Sequence, residues 1–332
     1  MGDVELQLVG HVCVDLAPGI EAPVSLTPGV LSEIGAPRIS VGGAVGNGAR
    51  AAAGLGRATV VACRVGDDAL GDICASVLEE TTPGGVVLTR SRTAATSYSV
   101  IVQPPDRDRS IWHHTGANDE FDGTCELVGA TVVHFGYPTL CPAMTADGGA
   151  PTVALFERAR AQGSATSLDL SYCAENSPLR GYDWDGYFTT VLPHVDLFCP
   201  SWDDVVSARG TLLEPEPGLV ESTADDFLAL GAAVVLITLG EQGSYLATAD
   251  DARIRTFTAA IGADPSSWAD RRAWVPAAPL ERFVSSNGAG DTFKVAFLAG
   301  VLDGRDPVAA ATWAAQVVGR GIQGDPLLGS AP

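Results

Sequence analysis

Lysine is almost missing from this chain: Lys294 is the only one in 332 residues. A P-loop needs a Gly-Lys-Ser/Thr step, so nucleotide phosphates are not held that way. Any phosphate site must rest on backbone amides, arginine and a metal. Basic residues are scarce altogether, 20 against 40 acidic ones, for a net charge of −20. Such a surface argues against a nucleic-acid partner, which is bound through clustered cations. It also disfavours an anionic membrane surface. No uncharged apolar run is long enough to span a bilayer, and no basic segment with an apolar stretch opens the sequence. Among the seven cysteines no C-x-x-C pair occurs, their number is odd and their settings are apolar. Buried free thiols in a reducing compartment follow, so the chain is expected to be cytoplasmic.

The hydrophobic fraction of 46% and charged fraction of 18% fit a large core. The length allows one large α/β domain with an accessory element, or two ordinary domains. Residues 4–14 read as one strand leading into Asp15, residues 43–55 as a tight Ala/Gly-rich helix, 59–65 as a strand and 68–79 as a helix. Residues 86–103 and 109–114 alternate like strands around a Pro104-Pro105 turn. From about residue 130 the rhythm is regular. Short apolar strands are predicted at 131–135, 164–170, 195–199 and 233–239, with helices at 151–162 and 222–230 between them. That alternation implies a parallel sheet covered by helices on both faces. Residues 244–249 and 253–258 resemble an antiparallel pair, 259–278 a long loop, 279–284 a strand end and 306–319 a last helix. The strand-like pieces at 18–40 and 88–115 break the rhythm. They are expected to form a small β lid over the strand C-termini, where open α/β sheets bind ligands.

Asn287-Gly288-Ala289-Gly290-Asp291 stands where a polar loop becomes an apolar helix. Small residues there leave backbone N–H groups open to an anion. A carboxylate in the same turn makes sense if Asp291 faces a hydroxyl while the amides face a phosphoryl group. The plainer alternative is an ordinary helix start capped by Asn287. Gly42-Gly43 followed by Asn47 offers a close backbone approach and an amide for a polyhydroxy ligand. Asp15 is placed to chelate vicinal hydroxyls with Asn47. Thr238-Leu239-Gly240 with Gly243 is a glycine turn at a strand end, suited to nucleotide phosphates. Gly46 to Ala51 also matches G-x-G-x-x-A with Asp67 downstream, which keeps an NAD(P)-dependent oxidoreductase open.

Taken in order, these motifs resemble the PfkB/ribokinase family of carbohydrate kinases over residues 5–322. The resemblance implies a ribokinase-like three-layer αβα sandwich, with a mostly parallel central sheet and a small β lid, in a single domain over 1–332. It implies Mg-dependent transfer of the ATP γ-phosphoryl group to a sugar hydroxyl. Asp291 would be the base, and the amides of Gly288, Ala289 and Gly290 the anion hole. Asp15, Gly42, Gly43 and Asn47 would contact the sugar, and Thr238, Gly240, Gly243 and Asn287 the nucleotide. Nucleoside or phosphosugar kinases of the same fold, and a non-catalytic sugar-binding member, are the alternatives. Relatives often pair through their lids, so a homodimer is a further expectation. Three departures stand out. Ser285 replaces the signature's first Asp in a region that helps hold K⁺ in relatives, which leaves K⁺ activation open. The family's Asn-x-x-Glu appears as Ser201-Trp202-Asp203-Asp204, so Asp204 is the metal candidate. Val295 stands where a small residue is usual, beside Lys294, which is expected to snorkel to solvent. Arg92, Arg107 and Arg109 are expected as solvated lid residues, and Trp112 or Tyr98 as possible stacking surfaces for a base.

Overall fold

The computed structural model describes residues 4–20, 24–25, 27–103, 109–325 and 328. The Pro104-Pro105 turn and Arg107 lie outside the described residues.

A nine-stranded sheet is built from β1 (Leu6–Gly10), β4 (Thr59–Gly66), β5 (Val86–Ser91), β8 (Val132–Gly136), β9 (Ala165–Leu168), β10 (Leu197–Phe198), β11 (Val234–Thr238), β12 (Ser244–Thr248) and β13 (Arg272–Val275). Its order is β13-β12-β11-β10-β9-β8-β1-β4-β5. From β5 across to β11 every pair is parallel, and β12 runs antiparallel to both neighbours.

Successive strand residues point to opposite faces, so each strand feeds two cores. Leu6 and Leu8 of β1 enter one core and Val9 the other. In β11, Val234 and Leu236 face the first core, Val235 and Ile237 the second. The first core is closed by α1 (Gly43–Gly54), α2 (Ala69–Thr81), α7 (Asp251–Ile261), α8 (Ala289–Leu302) and α9 (Pro307–Ile322). The second is closed by α3 (Ala146–Ala161), α4 (Trp184–Val191), α5 (Trp202–Ala208) and α6 (Pro217–Ala229). This is the three-layer architecture expected of strand–helix alternation. Among the described residues no helix is long and apolar enough to cross a membrane. No disulfide links the seven cysteines, and six of them are buried.

A separate four-stranded sheet has the order β3-β2-β6-β7, from β2 (Cys13–Gly19), β3 (Gly35–Gly42), β6 (Tyr98–Val102) and β7 (Ser110–His114). Its register aligns Asp15 with Ser99 and Ser99 with His113 on one face. The opposite face carries the row Ile39, Leu16, Val100 and Trp112.

Several sequence-based expectations need correction. Residues 4–14 are two strands. After Gly10 the His11 amide donates to the Gly136 carbonyl at 2.7 Å, and the chain then leaves the large sheet for the small one. Residues 88–91 belong to β5 in the large sheet, because they pair with β4. Residues 253–258 form a helix: Asp250 caps it through the Arg253 amide, and Ile254, Phe257 and Thr258 bury one helical face. Only the short-range alternation of that segment looked like a strand. Residues 259–278 are no structureless loop, since they finish α7 and supply β13. Residues 279–284 make no strand; Val284 and Ser285 instead donate to the Ile322 carbonyl at the end of α9. Gly46 to Ala51 lies wholly inside α1, so those glycines form no strand-to-helix phosphate turn.

Candidate active site

α8 begins at Gly288, which adopts φ 71° as its N-cap. A Cβ there would also come within 3.0 Å of the Asn47 side chain, so the position needs glycine on two counts. The cap is not Asn287. Its amide donates to Ser285 Oγ at 3.2 Å, and its side chain bonds the carboxyl of Asp15. Asn287 thus sits with the predicted sugar-contact residues rather than apart from them. Asp291 lies in the first turn of α8 and is 7% exposed. Asn47 Nδ2 donates to its Oδ2 at 2.9 Å, and the Tyr137 hydroxyl donates to its Oδ1 at 2.5 Å. Each carboxylate oxygen is thereby oriented and keeps a second lone pair for another donor. Burial, followed by the charges of Asp291 and Asp169, pushes the Tyr137 phenol well up, so it stays a donor.

Asp15 is buried on the inner face of the small sheet. The Cys13 thiol donates to its Oδ1 at 3.4 Å. Burial raises the Asp15 pKa, against the opposing pull of hydrogen bonds from Cys13, Ser99 and Asn287 and the charge of Arg50. Gly42 ends β3 with its α-carbon turned to the Asp15 carboxylate, where any side chain would collide. Gly43 opens α1 at φ 75°, against the ring of His11. One turn along α1, Arg50 donates to Asn47 Oδ1 at 3.2 Å and to the Val41 carbonyl at 2.6 Å. Asn47 thus relays between Arg50 and Asp291.

Lys294 does not snorkel. It is 5% exposed and forms an ion pair with Asp169, which is fully buried just after β9. Burial alone would lower the Lys294 pKa, but Asp169, Asp291 and Asp204 together raise it, so the ammonium stays charged. The cause of the failed expectation is its partner, a carboxylate that the stem reaches without leaving the core. Asp204 forms a reciprocal cap with Ser201: Ser201 N–H donates to Asp204 Oδ2 at 2.9 Å, and Asp204 N–H to Ser201 Oγ at 3.1 Å. Burial lifts the Asp204 carboxyl to about 6, against the pull of Lys294 and of Ser201. Ser201 in turn bridges to Thr238 at the end of β11, and Gly240 and Gly243 flank the turn that follows.

These side chains cluster at one edge of the large sheet. Tyr137 follows β8, Asp169 follows β9, Ser201 follows β10 and Thr238 ends β11, all at strand C-termini, and β8 lies next to β1, around which the order reverses. Arg109 is not simply solvated: it hydrogen-bonds Ser286 Oγ and ties the small sheet to the loop before α8. Trp112 is 57% exposed on the outer face, away from this cluster, and Tyr98 rests on His114 there. The profile of the pfkB family of carbohydrate kinases matches residues 5–320.

The chain belongs to the pfkB family. Solved structures agree on the ribokinase fold. Arabidopsis thaliana ribokinase, complexed with ribose and ATP, is 19% identical at a TM-score of 0.70, covering 99% of this chain and 96% of that one. A probable sugar kinase from Rhizobium etli is 20% identical at 0.72, covering 100% and 96%. The nucleoside kinase of Methanocaldococcus jannaschii is 18% identical at 0.67, also covering 100% and 96%. No curated protein sequence matches the chain. Tyr137, Asp169 and Arg50, which contact Asp291, Lys294 and Asn47, are the members of this candidate site that sequence reasoning missed. Tyr137 comes just after the strand predicted at 131–135, and Asp169 is a charged residue inside the one predicted at 164–170; those positions were the available signal.

Proposed function

We propose that the protein transfers the γ-phosphoryl group of ATP to a hydroxyl of a sugar or sugar-like acceptor. The observation that carries this reading is Asp291, held by two donors in the first turn of a helix that no side chain caps. An alcohol is too weak an acid to be ionised beforehand by a carboxylate. Asp291 orients the acceptor hydroxyl and takes its proton as the new P–O bond forms. The amides of Gly288 and Gly290 then face the charge growing on the transferred group, whereas the Ala289 amide, expected to join them, donates to the Ser286 carbonyl at 3.1 Å. Asp15, Asn47 and the Gly42-Gly43 backbone position the acceptor, and the turn from Thr238 through Gly240 to Gly243 the nucleotide.

Mg²⁺ characteristically takes one or two carboxylates plus phosphate oxygens and water. Asp204 fits that habit, as a buried carboxylate within reach of the Lys294 charge, whose cap partner Ser201 bridges to Thr238. Mg²⁺ bound there would neutralise phosphate charge. The K⁺ dependence of relatives loses support, because Ser285 Oγ is engaged by the Asn287 amide and carries no charge.

The likeness to a nucleoside kinase and to ribokinase leaves the acceptor class to experiment. Arg109 at the Ser286 loop favours testing acidic and phosphorylated acceptors beside neutral ones. An ADP-release screen with Mg-ATP, with and without K⁺, over pentoses, hexoses, sugar acids, phosphosugars and nucleosides tests the reading. Acceptor binding without ADP release would identify a non-catalytic member, and fluorescence titration with NADH tests the oxidoreductase alternative.

Tyr137→Phe should lower kcat by roughly 10–100-fold, the worth of one hydrogen bond to a charged group. The acceptor KM should barely move, because the phenol's hydrogen bond is spent on Asp291. An unchanged kcat would reduce Tyr137 to packing.

The protein is further inferred to pair through the outer face of the small sheet. Ile39 and Trp112, 52% and 57% exposed, flank Leu16 and Val100 in one cross-strand apolar row. Light scattering should show a dimer that Trp112→Glu converts to monomer. A monomeric wild type would refute the pairing.

A further inference from the structure

Three metal-ligating side chains converge behind Asp15. Nε2 of His11 lies 3.1 Å from Nε2 of His113. The Cys13 thiol joins them, with all three ligand atoms within 4.8 Å of one another. The fold brings them together from two sheets. His11 sits where the chain leaves β1, Cys13 opens β2, and His113 lies on β7 in the register row of Ser99 and Asp15. Two imidazole nitrogens that point at each other must share something. With no metal, one ring has to carry its proton on Nε2 and donate it to the other. A cation between them replaces that proton.

The spacing suits a metal. Tetrahedral zinc with nitrogen ligands spaces them ~3.3 Å apart. The distance between the two histidines is within a few tenths of that. The outer shell is partly in place, since Nδ1 of His113 lies 3.1 Å from Ser99 Oγ. A ligating histidine is normally oriented through its other ring nitrogen in this way. Among the described residues Nδ1 of His11 is buried with no hydrogen-bond partner, so no contact there commits the ring to a tautomer that blocks Nε2. His11 and Cys13 are buried while His113 is exposed, which gives an ion a way in. Two imidazoles and a thiolate select a zinc-like transition metal and reject magnesium.

We propose that His11, Cys13 and His113 form a binding site for a zinc-class divalent ion, distinct from the magnesium of the kinase reaction. Its fourth position opens toward Asp15, whose Oδ1 is 3.4 Å from Cys13 Sγ. Binding releases the thiol proton of Cys13, forms a metal–sulfur bond and fastens the small sheet to the end of β1. Where the acceptor assignment of Asp15 holds, the bound ion also competes with the acceptor.

Cobalt(II) added to metal-free protein, with no ATP or acceptor present, tests the site independently of any kinase activity. One equivalent should give a thiolate-to-cobalt charge-transfer band with tetrahedral d–d bands, release one proton and be displaced by zinc. Cys13→Ser should abolish the charge-transfer band. His113→Asn, a change on an exposed strand, should weaken binding more than tenfold, and Ser99→Ala by about 10–100-fold through the lost orienting contact. If Cys13→Ser fails to fold, as judged by circular dichroism, the other two variants still decide. No band in the wild type, a band that survives in folded Cys13→Ser, or unchanged affinity in His113→Asn would each overturn the site.

Discussion

Asp291→Ala is expected to cut kcat by about a thousandfold or more, within the range a positioned general base supplies. The loss is large because two functions go together. The proton acceptor disappears, and so does the anchor on which Asn47 and Tyr137 both converge. Freed of that partner, Asn47 still bonds Arg50, so the acceptor side of the site keeps its frame. Acceptor affinity should therefore fall much less than turnover. The amides at the start of α8 survive the change and should leave a rate above the uncatalysed one. Asp291→Asn is not a mild substitute, because its amide end would meet a donor from either Asn47 or Tyr137. Single-turnover ADP formation at saturating acceptor separates these effects. A rate equal to wild type in Asp291→Ala would sink the assignment of the base.

The second large effect concerns stability. Lys294→Met should destabilise the fold by about 3–5 kcal/mol, the cost of breaking a buried ion pair from one side. Burial pushes the Asp169 carboxyl well up, and the Lys294 ammonium is the main influence that opposes the rise. Without the lysine, Asp169 and Asp204 lose their shared cation, and Asp291 keeps the charge of Arg50. Asp169→Asn should cost less, since Lys294 keeps Asp204 and Asp291 as counter-charges. The double variant should recover part of the loss, because a neutral pair carries no uncompensated charge. Urea unfolding midpoints of the three variants give the order directly. Equal stability of wild type and Lys294→Met would show that the pair contributes nothing.

The parts of the fold that were legible in sequence share one property: each is fixed by a local pattern that tertiary contacts do not reverse. The strand before Tyr137 and the helix after Gly288 are mostly apolar, and the strand before Asp169 is short and uncharged. Residues 253–258 failed because their alternation is also compatible with a helix, and the cap from Asp250 decides between the two. Residues 4–14 failed because a sheet-to-sheet crossing has no signature within one chain segment. It is set by Gly136, more than a hundred residues away. The site shows the same division. Glycines and Asp291 announce themselves by spacing, whereas Lys294 gains its meaning only when Asp169 is found beside it. Tyr137 is legible only as a residue after a strand, and its hydroxyl matters because the fold aims it at Asp291.

The burial of Lys294 has an analytical consequence. With a single ε-amine in the sequence, shielded at 5% exposure, lysine chemistry on the folded protein has almost no side chain to modify. Acylation at that residue requires the first turns of α8 to part from Asp169. A covalent tag localised to Lys294 by peptide mass over time therefore becomes a clock for opening of the candidate site itself.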